Sequence, residues 1–244
     1  MSIVLSRGSR NLRAVTRSLR RLIIPVALTM LAANSAANDG PTTMRIALVF
    51  DDGPVPELCE KFLATLAREN VKATFSHEGR YVTAHPHLAR AVLAAGHEIA
   101  NHSYHHPHFN GLDPASVVRE IRETQAAVKS ATGLEPRWLW TPYLDWDETI
   151  AQAVETTGMR HMPLSHLHLV SSEDWDRSID AAAILRNATR GIKDRTVILC
   201  HERRAETLAQ LPAILTELRQ QGCVFLTFSE LAATLTPQQL SDLR

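Results

Sequence analysis

Short apolar segments alternate along this chain with segments in which apolar residues recur at helical spacing. The predicted strands cover residues 45–50, 73–75, 97–100, 138–140, 160–163, 196–200 and 223–226. The predicted helices cover residues 56–70, 86–95, 114–132, 147–157, 181–189 and 206–221, and a last one begins at Ser229. Strands that alternate with helices of about 10–15 residues are typical of parallel α/β sheets. The sequence therefore predicts one α/β domain over residues 44–235, with a C-terminal tail over residues 236–244.

The segment before this domain has the pattern of an export signal. Residues 1–37 contain six arginines and no acidic residue, an apolar run over residues 22–33, and the small residues Ser35-Ala36-Ala37. A basic start, a short apolar stretch and a small-x-small site are typical of a secretory signal peptide. The apolar run is short for a membrane span, which needs about 20 residues. We predict a cleaved signal peptide over residues 1–37 and a turn-rich linker over residues 38–43; an uncleaved anchor and a buried helix are the alternatives.

The balance of charges argues against a nucleic-acid partner. The chain has 26 basic and 26 acidic side chains, so its formal net charge is +0. Removal of the six arginines of the signal peptide leaves a net charge of about −6. A mildly acidic protein lacks the basic surface that binds nucleic acids or anionic membranes. We therefore predict an exported protein, periplasmic or extracellular, that binds no nucleic acid and has no stable membrane insertion after signal cleavage.

The cysteine content excludes a disulfide framework. The chain has 3 cysteines, which is a small and odd number. Cys200 and Cys223 each lie in an apolar run and could lie on neighbouring strands. We predict that both are buried free thiols.

Two adjacent carboxylates, Asp51 and Asp52, follow the first predicted strand. In parallel α/β folds the chemistry lies at the carboxyl ends of the strands. Neighbouring carboxylates can have opposite roles, because one can bind a cation while the other acts as a general base. The alternative interpretation is an Asp-Gly-Pro turn in which the aspartate is a local cap.

Histidines are concentrated in one part of the chain, with eight of the 12 between His77 and His108. His102 and His106 are four residues apart, which would put both imidazoles on one side of a helical turn, within reach of one ion. His105 lies three residues from His102, so spacing alone leaves the binding pair open. Two neutral imidazoles and a carboxylate suit Zn²⁺ or a similar divalent ion. A polar loop that is merely rich in histidine is the alternative.

A single histidine, His201, follows the apolar strand at residues 196–200. A histidine in this position can be a satisfied core residue. If the carboxylate of Asp174 reaches it, the imidazole would stay protonated, as a general acid requires.

Together these residues resemble the motifs of the NodB-like polysaccharide deacetylases, carbohydrate esterase family 4. The resemblance covers about residues 45–235. The first motif appears as Val49-Phe50-Asp51-Asp52-Gly53-Pro54, the second as His102-Ser103-Tyr104-His105-His106, and the fifth as Leu199-Cys200-His201. The resemblance implies a distorted (β/α) barrel of about seven strands. It also implies metal-dependent removal of N- or O-acetyl groups from sugars.

The resemblance implies a role for each matching residue. Asp52, His102 and His106 would be the metal ligands, with zinc expected and cobalt, nickel or manganese as alternatives. Asp51 would be the general base for the attacking water, and His201 would protonate the leaving group.

The third and fourth motifs supply two further roles and depart from the family pattern. The backbone N–H of Tyr143 would stabilise the oxyanion, and Asp174 would orient and charge the general acid. Trp140 stands where the family has an arginine that pairs with the catalytic aspartate, and Ser171 stands where an aspartate is often found. Without that arginine, the pKa of Asp51 is expected to rise.

The sequence therefore predicts an exported, metal-dependent carbohydrate deacetylase that acts on a polysaccharide such as peptidoglycan or another N-acetylglucosamine polymer. A weakly active or inactive sugar-binding relative and an amidase for small non-sugar amides are the alternatives. Tryptophans could stack on sugar rings, although two or three of the four are expected in the core. These are Trp138, Trp140, Trp146 and Trp175.

Overall fold

Strands and helices alternate through the described part of the chain, which comprises residues 43–162 and 165–241 of a computed structural model. The predicted signal peptide and, except for Thr43, the predicted linker lie outside the described residues. Among the helices of the described ranges, none combines the length and the apolar character that a membrane crossing requires.

The strands and helices have the following bounds. The strands are β1 (Met44–Gly53), β2 (Thr74–His77), β3 (Glu98–Asn101), β4 (Trp138–Leu139), β5 (Arg160–His161), β6 (His168–Ser171), β7 (Thr196–His201) and β8 (Cys223–Leu226). The α-helices are α1 (Cys59–Arg68), α2 (Gly79–Ala84), α3 (Pro86–Ala94), α4 (Pro114–Thr132), α5 (Glu148–Glu155), α6 (Ala181–Thr189), α7 (Ala205–Gln220), α8 (Phe228–Ala232) and α9 (Pro237–Ser241). A 3₁₀ turn covers Pro142–Leu144.

Seven parallel strands form a curled half-barrel in the order β5-β4-β3-β2-β1-β7-β6. The eighth strand, β8, pairs in parallel with the first part of β1, from Met44 to Ala47. Strands β5 and β6 lie at the two ends of the path. The predicted α/β fold, a distorted (β/α) barrel of about seven strands, is confirmed, and β8 is an addition to the seven.

Strand β1 is buried on both faces because it lies between two apolar clusters. Leu48 and Phe50 pack with residues of α1 and α7 in one cluster. Ala47 and Val49 point to the opposite face and join a second cluster that contains Trp140. This alternation follows from the strand geometry, in which successive side chains point to opposite faces. The site residues at the end of β1 are therefore held by a strand that is fixed from both sides.

Helix α4 has the predicted bounds, because its ends carry strong local signals. The Asp113 side chain accepts a hydrogen bond from Ser116 N–H at 3.0 Å, and Pro114 occupies the first turn. Gly133 follows the helix with φ of 79°, which favours glycine. Capping residues at both ends therefore fix the helix that packs outside β3.

Three short elements, α2, β6 and α9, are not among the predicted strands and helices. Strand β6 has two apolar residues in four, and its hydrogen bonds come from pairing with β7 along its whole length. The region predicted as a tail contains helix α9, and Leu240 packs against the cluster that contains Trp140.

All three cysteines are buried and free, which confirms the prediction for Cys200 and Cys223.

Candidate active site

The carboxyl ends of β1, β3 and β7 lie at one edge of the sheet and carry the polar side chains of the site. Asp51 pairs in register with His201 of β7, and Asp52 follows it in β1. His102 comes directly after the last residue of β3. The structure connects all the predicted site residues at this edge through contacts or strand register: Asp51, Asp52, His102, His106, Tyr143, Asp174 and His201.

One oxygen of Asp52 faces two imidazoles. Asp52 Oδ1 lies 3.4 Å from His102 Nε2 and 3.2 Å from His106 Nε2. The three ligand atoms of this group lie within 4.8 Å of one another. Among the described residues, Oδ1 is buried and has no hydrogen bond of good geometry. Two imidazole nitrogens around an orphaned carboxylate oxygen form a donor set that fits a divalent cation.

The charges within this group affect each other strongly. Burial opposes the charge of Asp52, yet the two imidazoles that face it at 3.4 and 3.2 Å hold the pKa of that carboxyl well below its usual range. Burial also opposes a charge on His102, but the carboxylates of Asp51 and Asp52 raise its pKa to about 9. A protonated imidazole has no lone pair for a metal, so His102 must lose a proton when a cation binds.

His102 and His106 meet on a loop, so the prediction of a helical turn is wrong. Ser103 and His106 have φ of 63° and 62°, in the left-handed region. Asn101 Oδ1 accepts a hydrogen bond from Ser103 N–H at 2.9 Å, and Ser103 Oγ accepts one from His106 N–H at 3.0 Å. These side-chain bonds to the backbone replace the helical pattern and bring the two ring centroids to 4.9 Å.

The choice between His105 and His106, which spacing left open, is made by the loop. His105 Nδ1 lies 2.8 Å from Glu120 Oε1, and its side chain is 58% exposed. His106 lies with Asp52 and His102 in the candidate metal group. His105 therefore contacts Glu120 of α4 at the protein surface and is not part of the candidate metal group.

Trp140 contributes its backbone, rather than its side chain, to the site. Its indole is buried in the cluster beside β1. Its carbonyl oxygen lies 2.6 Å from His102 Nδ1. A carbonyl acceptor keeps the proton on Nδ1 and leaves Nε2 free to face Asp52, an arrangement common for metal-binding histidines.

Asp51 is buried next to the candidate metal group. Its Oδ2 lies 3.7 Å from His102 Nε2. Burial raises the pKa of Asp51 to about 6, although the imidazoles of His102 and His201 oppose the rise. The direction agrees with the prediction, but the largest cause is burial rather than the missing arginine. A carboxylate with a raised pKa accepts a proton more readily near neutral pH.

Asp174 and His201 form a tightly bonded pair. Asp174 Oδ1 lies 2.6 Å from His201 Nδ1, and Oδ2 accepts the backbone N–H of His201 at 2.9 Å. The Thr207 hydroxyl also donates to Oδ2. Burial opposes the charge on Asp174, but these donors hold its pKa below the usual value. Burial likewise opposes a charge on His201, and the carboxylate of Asp174 raises the pKa of the imidazole.

Three large aromatic side chains of the described residues are exposed: Tyr143, Trp146 and Trp175. Tyr143 is 57% exposed, has φ of 55°, and its ring lies 4.7 Å from that of His106. Trp146 and Trp175 are 38% and 65% exposed, whereas the remaining two tryptophans are buried. The expectation that some tryptophans belong to the core is confirmed for those two. The ring of Tyr143 therefore provides a flat apolar surface next to His106, whereas the ring of Trp146 stacks on His161 at 3.8 Å.

Arg203 is a site residue that the sequence interpretation missed. It lies between β7 and α7, and its Nε is 3.2 Å from Asp52 Oδ2. Its Nη2 donates to Glu78 Oε1 at 2.6 Å. The available signal was its place just after His201, at the carboxyl end of a strand.

Three comparisons relate this chain to known proteins. The family model described as polysaccharide deacetylase matches residues 38–162. A peptidoglycan-N-acetylglucosamine deacetylase of Listeria monocytogenes is 35% identical over 190 residues, which cover 78% of this chain and 39% of that protein. A chitooligosaccharide deacetylase of Rhizobium leguminosarum bv. trifolii is 32% identical over 200 residues, which cover 75% of this chain and 89% of that protein.

A solved structure has the same fold. A family 4 acetyl xylan esterase from Clostridium thermocellum, in complex with a cobalt ion, matches with a TM-score of 0.70 and 29% identity. The match covers 78% of this chain and 90% of the esterase chain.

The chain spans about 39% of the length of the Listeria relative, and most of the length of the Rhizobium relative. The family match includes strand β1, which carries Asp51 and Asp52, and the loop after β3, which carries His102 and His106. The chain therefore belongs to the polysaccharide deacetylase family.

Proposed function

We propose that this protein is a metal-dependent hydrolase that removes acetyl groups from an acetylated polysaccharide. The observation that carries the proposal is that three kinds of group meet in one site. The carboxylate of Asp52 and two imidazoles surround a common point, and the carboxylate of Asp51 lies beside them. The Asp174–His201 pair lies next to Asp51 in the sheet. This set contains a cation site, a proton acceptor and a proton donor, which are the groups that hydrolysis of an amide or ester requires.

Asp52, His102 and His106 are the proposed metal ligands. A divalent metal bound there would supply a Lewis acid that polarises the acetyl carbonyl and lowers the pKa of water. We expect zinc, with cobalt, nickel or manganese as alternatives. The orphaned Oδ1 of Asp52 and the Trp140 carbonyl that orients His102 support this assignment.

Asp51 is the proposed general base and His201 the proposed general acid. The water oxygen forms a bond to the acetyl carbon, and Asp51 takes the proton that this water loses. The backbone N–H of Tyr143 donates to the carbonyl oxygen as negative charge develops on it. When the bond from the acetyl carbon to the leaving group breaks, His201 gives its proton to the amine nitrogen or alkoxide oxygen. Asp174 acts through His201, which it keeps protonated and oriented.

The proposed substrate is a polymer that contains N-acetylglucosamine, with peptidoglycan as the first choice. The Listeria and Rhizobium relatives are named for peptidoglycan N-acetylglucosamine and for chitooligosaccharide, and the Clostridium structure for acetyl xylan. The ring of Tyr143 is exposed beside His106, Trp175 is exposed next to Asp174 in the chain, and aromatic faces of this kind stack on sugar rings. We assign the sugar polymer to these surfaces.

The pattern of residues 1–37 supports export to the periplasm or the extracellular space as part of this proposal. Fractionation of cells, with the mass of the secreted protein, tests it. A mature protein that begins near residue 38 is expected. A protein that keeps residues 1–37 inside the cytoplasm would contradict export.

Acetate release from N-acetylglucosamine oligomers and from peptidoglycan, in the presence of Zn²⁺ or Co²⁺, tests the activity. Release is expected for the natural protein, with a loss of at least about 100-fold in Asp51→Asn. Glycan binding without acetate release would favour the weakly active or inactive sugar-binding relative. Turnover of small amides but not of oligosaccharides would favour the amidase. The first of these has an observation in its favour, because Trp140 is buried where the family carries an arginine.

A further inference from the structure

The loop after β7 places a cation on the metal-ligand candidate Asp52 rather than on the proposed base. Arg203 Nε lies 3.2 Å from Asp52 Oδ2, and Nη2 donates to the Asp52 backbone carbonyl at 3.3 Å. The guanidinium thus contacts both the side chain and the main chain of one residue. Planar guanidinium groups fix the orientation of a carboxylate in this way, because their N–H donors have a rigid geometry.

Glu78 holds this guanidinium from the other side. Its carboxylate is completely buried, and Oε1 accepts Arg203 Nη2 at 2.6 Å. Oε2 accepts Arg80 at 2.7 Å. The backbone N–H of Glu78 donates to the carbonyl of Gly53 at 2.8 Å, next to Asp52 in the chain. A buried charge requires compensation, and here two arginines supply it. Glu78 is therefore a fixed anchor for Arg203.

The two oxygens of Asp52 have different partners. Oδ1 faces the imidazoles of His102 and His106, and Oδ2 faces Arg203. Rotation of the carboxylate about its bond to Cβ would break both sets of contacts. The orientation of a ligand by groups beyond the metal affects metal affinity by about 10–100-fold in known sites.

We propose that Arg203 is a positioning residue that fixes the rotation of Asp52, so that Oδ1 is the oxygen presented to the metal, and that Glu78 holds Arg203 in place. This inference rests on the proposed function, because it takes Asp52 as a metal ligand. The cation comes from the β7–α7 loop, on a different strand end from the one that carries Trp140. It acts on the ligand carboxylate and leaves Asp51 without a contact to a guanidinium among the described residues.

The chain offers a matched control in Arg80. Its side chain is 40% exposed, against 38% for Arg203, and both pair with the carboxylate of Glu78. Only the Arg203 contacts extend to Asp52 within the described part of the chain. Arg80→Met therefore removes the same charge from the same anchor and leaves the carboxylate of Asp52 with its partner.

The experiment uses the full mature protein loaded with Co²⁺, the visible absorption of which reports the ligands around the ion. Affinity for Co²⁺ is measured in competition with a chelating indicator. Arg203→Met should alter the band positions and intensity and weaken Co²⁺ binding about 10–100-fold. Arg203→Lys should recover part of the affinity, because a lysine keeps the charge but not the planar geometry. Arg80→Met should keep the natural spectrum and affinity.

Three results would overturn the inference. An unchanged spectrum in both Arg203 variants would show that Asp52 needs no guanidinium. Equal changes in Arg203→Met and Arg80→Met would assign the effect to Glu78 alone. Tighter Co²⁺ binding in Arg203→Met would mean that the guanidinium only competes with the ion. Absence of Co²⁺ binding by the natural protein would contradict the proposed metal site itself, and is distinguishable because it appears before any substitution is made.

Discussion

Replacement of Asp174 by asparagine tests whether this residue keeps His201 protonated. The carboxylate accepts His201 Nδ1 on Oδ1 at 2.6 Å, while Oδ2 accepts the His201 backbone N–H at 2.9 Å and the Thr207 hydroxyl. The side-chain amide of the asparagine has only one acceptor oxygen, and two donors converge on the position of Oδ2. The asparagine should therefore place its oxygen at that position and its NH₂ group opposite His201 Nδ1. His201 then becomes a neutral imidazole with its proton on Nε2.

A neutral imidazole is a much weaker acid than an imidazolium, so the protonation of the leaving group should suffer. General acid catalysis contributes about 10²–10⁴-fold, and kcat for an N-acetyl sugar should fall by that factor. An aryl acetate has a leaving group that departs without a proton, so its hydrolysis should fall less than about tenfold. Because Asp174 raises the pKa of His201 against the effect of burial, the variant should lose its acid form at lower pH. The alkaline limb of the amide profile therefore moves to lower pH.

The assay compares kcat for both substrates across pH at saturating metal. Thr207→Val is the matched control, since it keeps the carboxylate and removes one of its three donors. Its losses should be small and equal on both substrates. If Asp174→Asn slowed the aryl acetate as much as the amide, or left the alkaline limb in place, the assignment of His201 as the acid would be refuted.

Three further predictions concern metal binding and stability. Because the neighbouring carboxylates raise the pKa of His102 to about 9, Co²⁺ binding at pH 7 should release a proton, and the affinity should increase as pH rises towards 9. Calorimetry in two buffers of different ionisation enthalpy detects the released proton, and equal heats in the two buffers would contradict this prediction. Phe50→Ala should lower the free energy of unfolding by about 3–5 kcal/mol in urea, since Phe50 is fully buried; a loss under about 1 kcal/mol would contradict the packing of β1. A hydrogen bond from Arg45 lowers the pKa of Asp194 to about 2. Because both side chains are 35% exposed, Asp194→Asn should lower the free energy of unfolding by at most about 1 kcal/mol at pH 7, and this difference should vanish as pH falls through 2. A difference that grows in acid would contradict the pairing.

Features with local causes could be predicted from the sequence. The Asp113-Pro114 start and the Gly133 end of α4 are set by capping chemistry within the helix itself. The position of Asp51 and Asp52 at a strand end follows from the apolar run before them and from the rule for parallel strands. The shared edge of the sheet then places them near polar residues that end neighbouring strands, such as His201 of β7.

Features that depend on distant partners could not be predicted. The approach of His102 and His106 depends on positive φ values that Asn101 and Ser103 stabilise, whereas the spacing alone also fits a helical turn. Strand β6 exists because β7 supplies its hydrogen bonds. Arg203 and Glu78 are 125 positions apart in sequence, so their contact follows only from the assembled barrel.

We propose that the group formed by Asp52, His102 and His106 binds a divalent metal with which the protein removes acetyl groups from a sugar polymer. The direct measurement is acetate released from N-acetylglucosamine oligomers by the mature protein before and after metal removal with a chelator. We expect no release after chelation and full recovery with one equivalent of Zn²⁺ or Co²⁺ per chain, but no recovery in His106→Ala at that metal concentration. Undiminished release by the chelated protein, or by His106→Ala, would show that acetyl removal does not depend on a metal at this group.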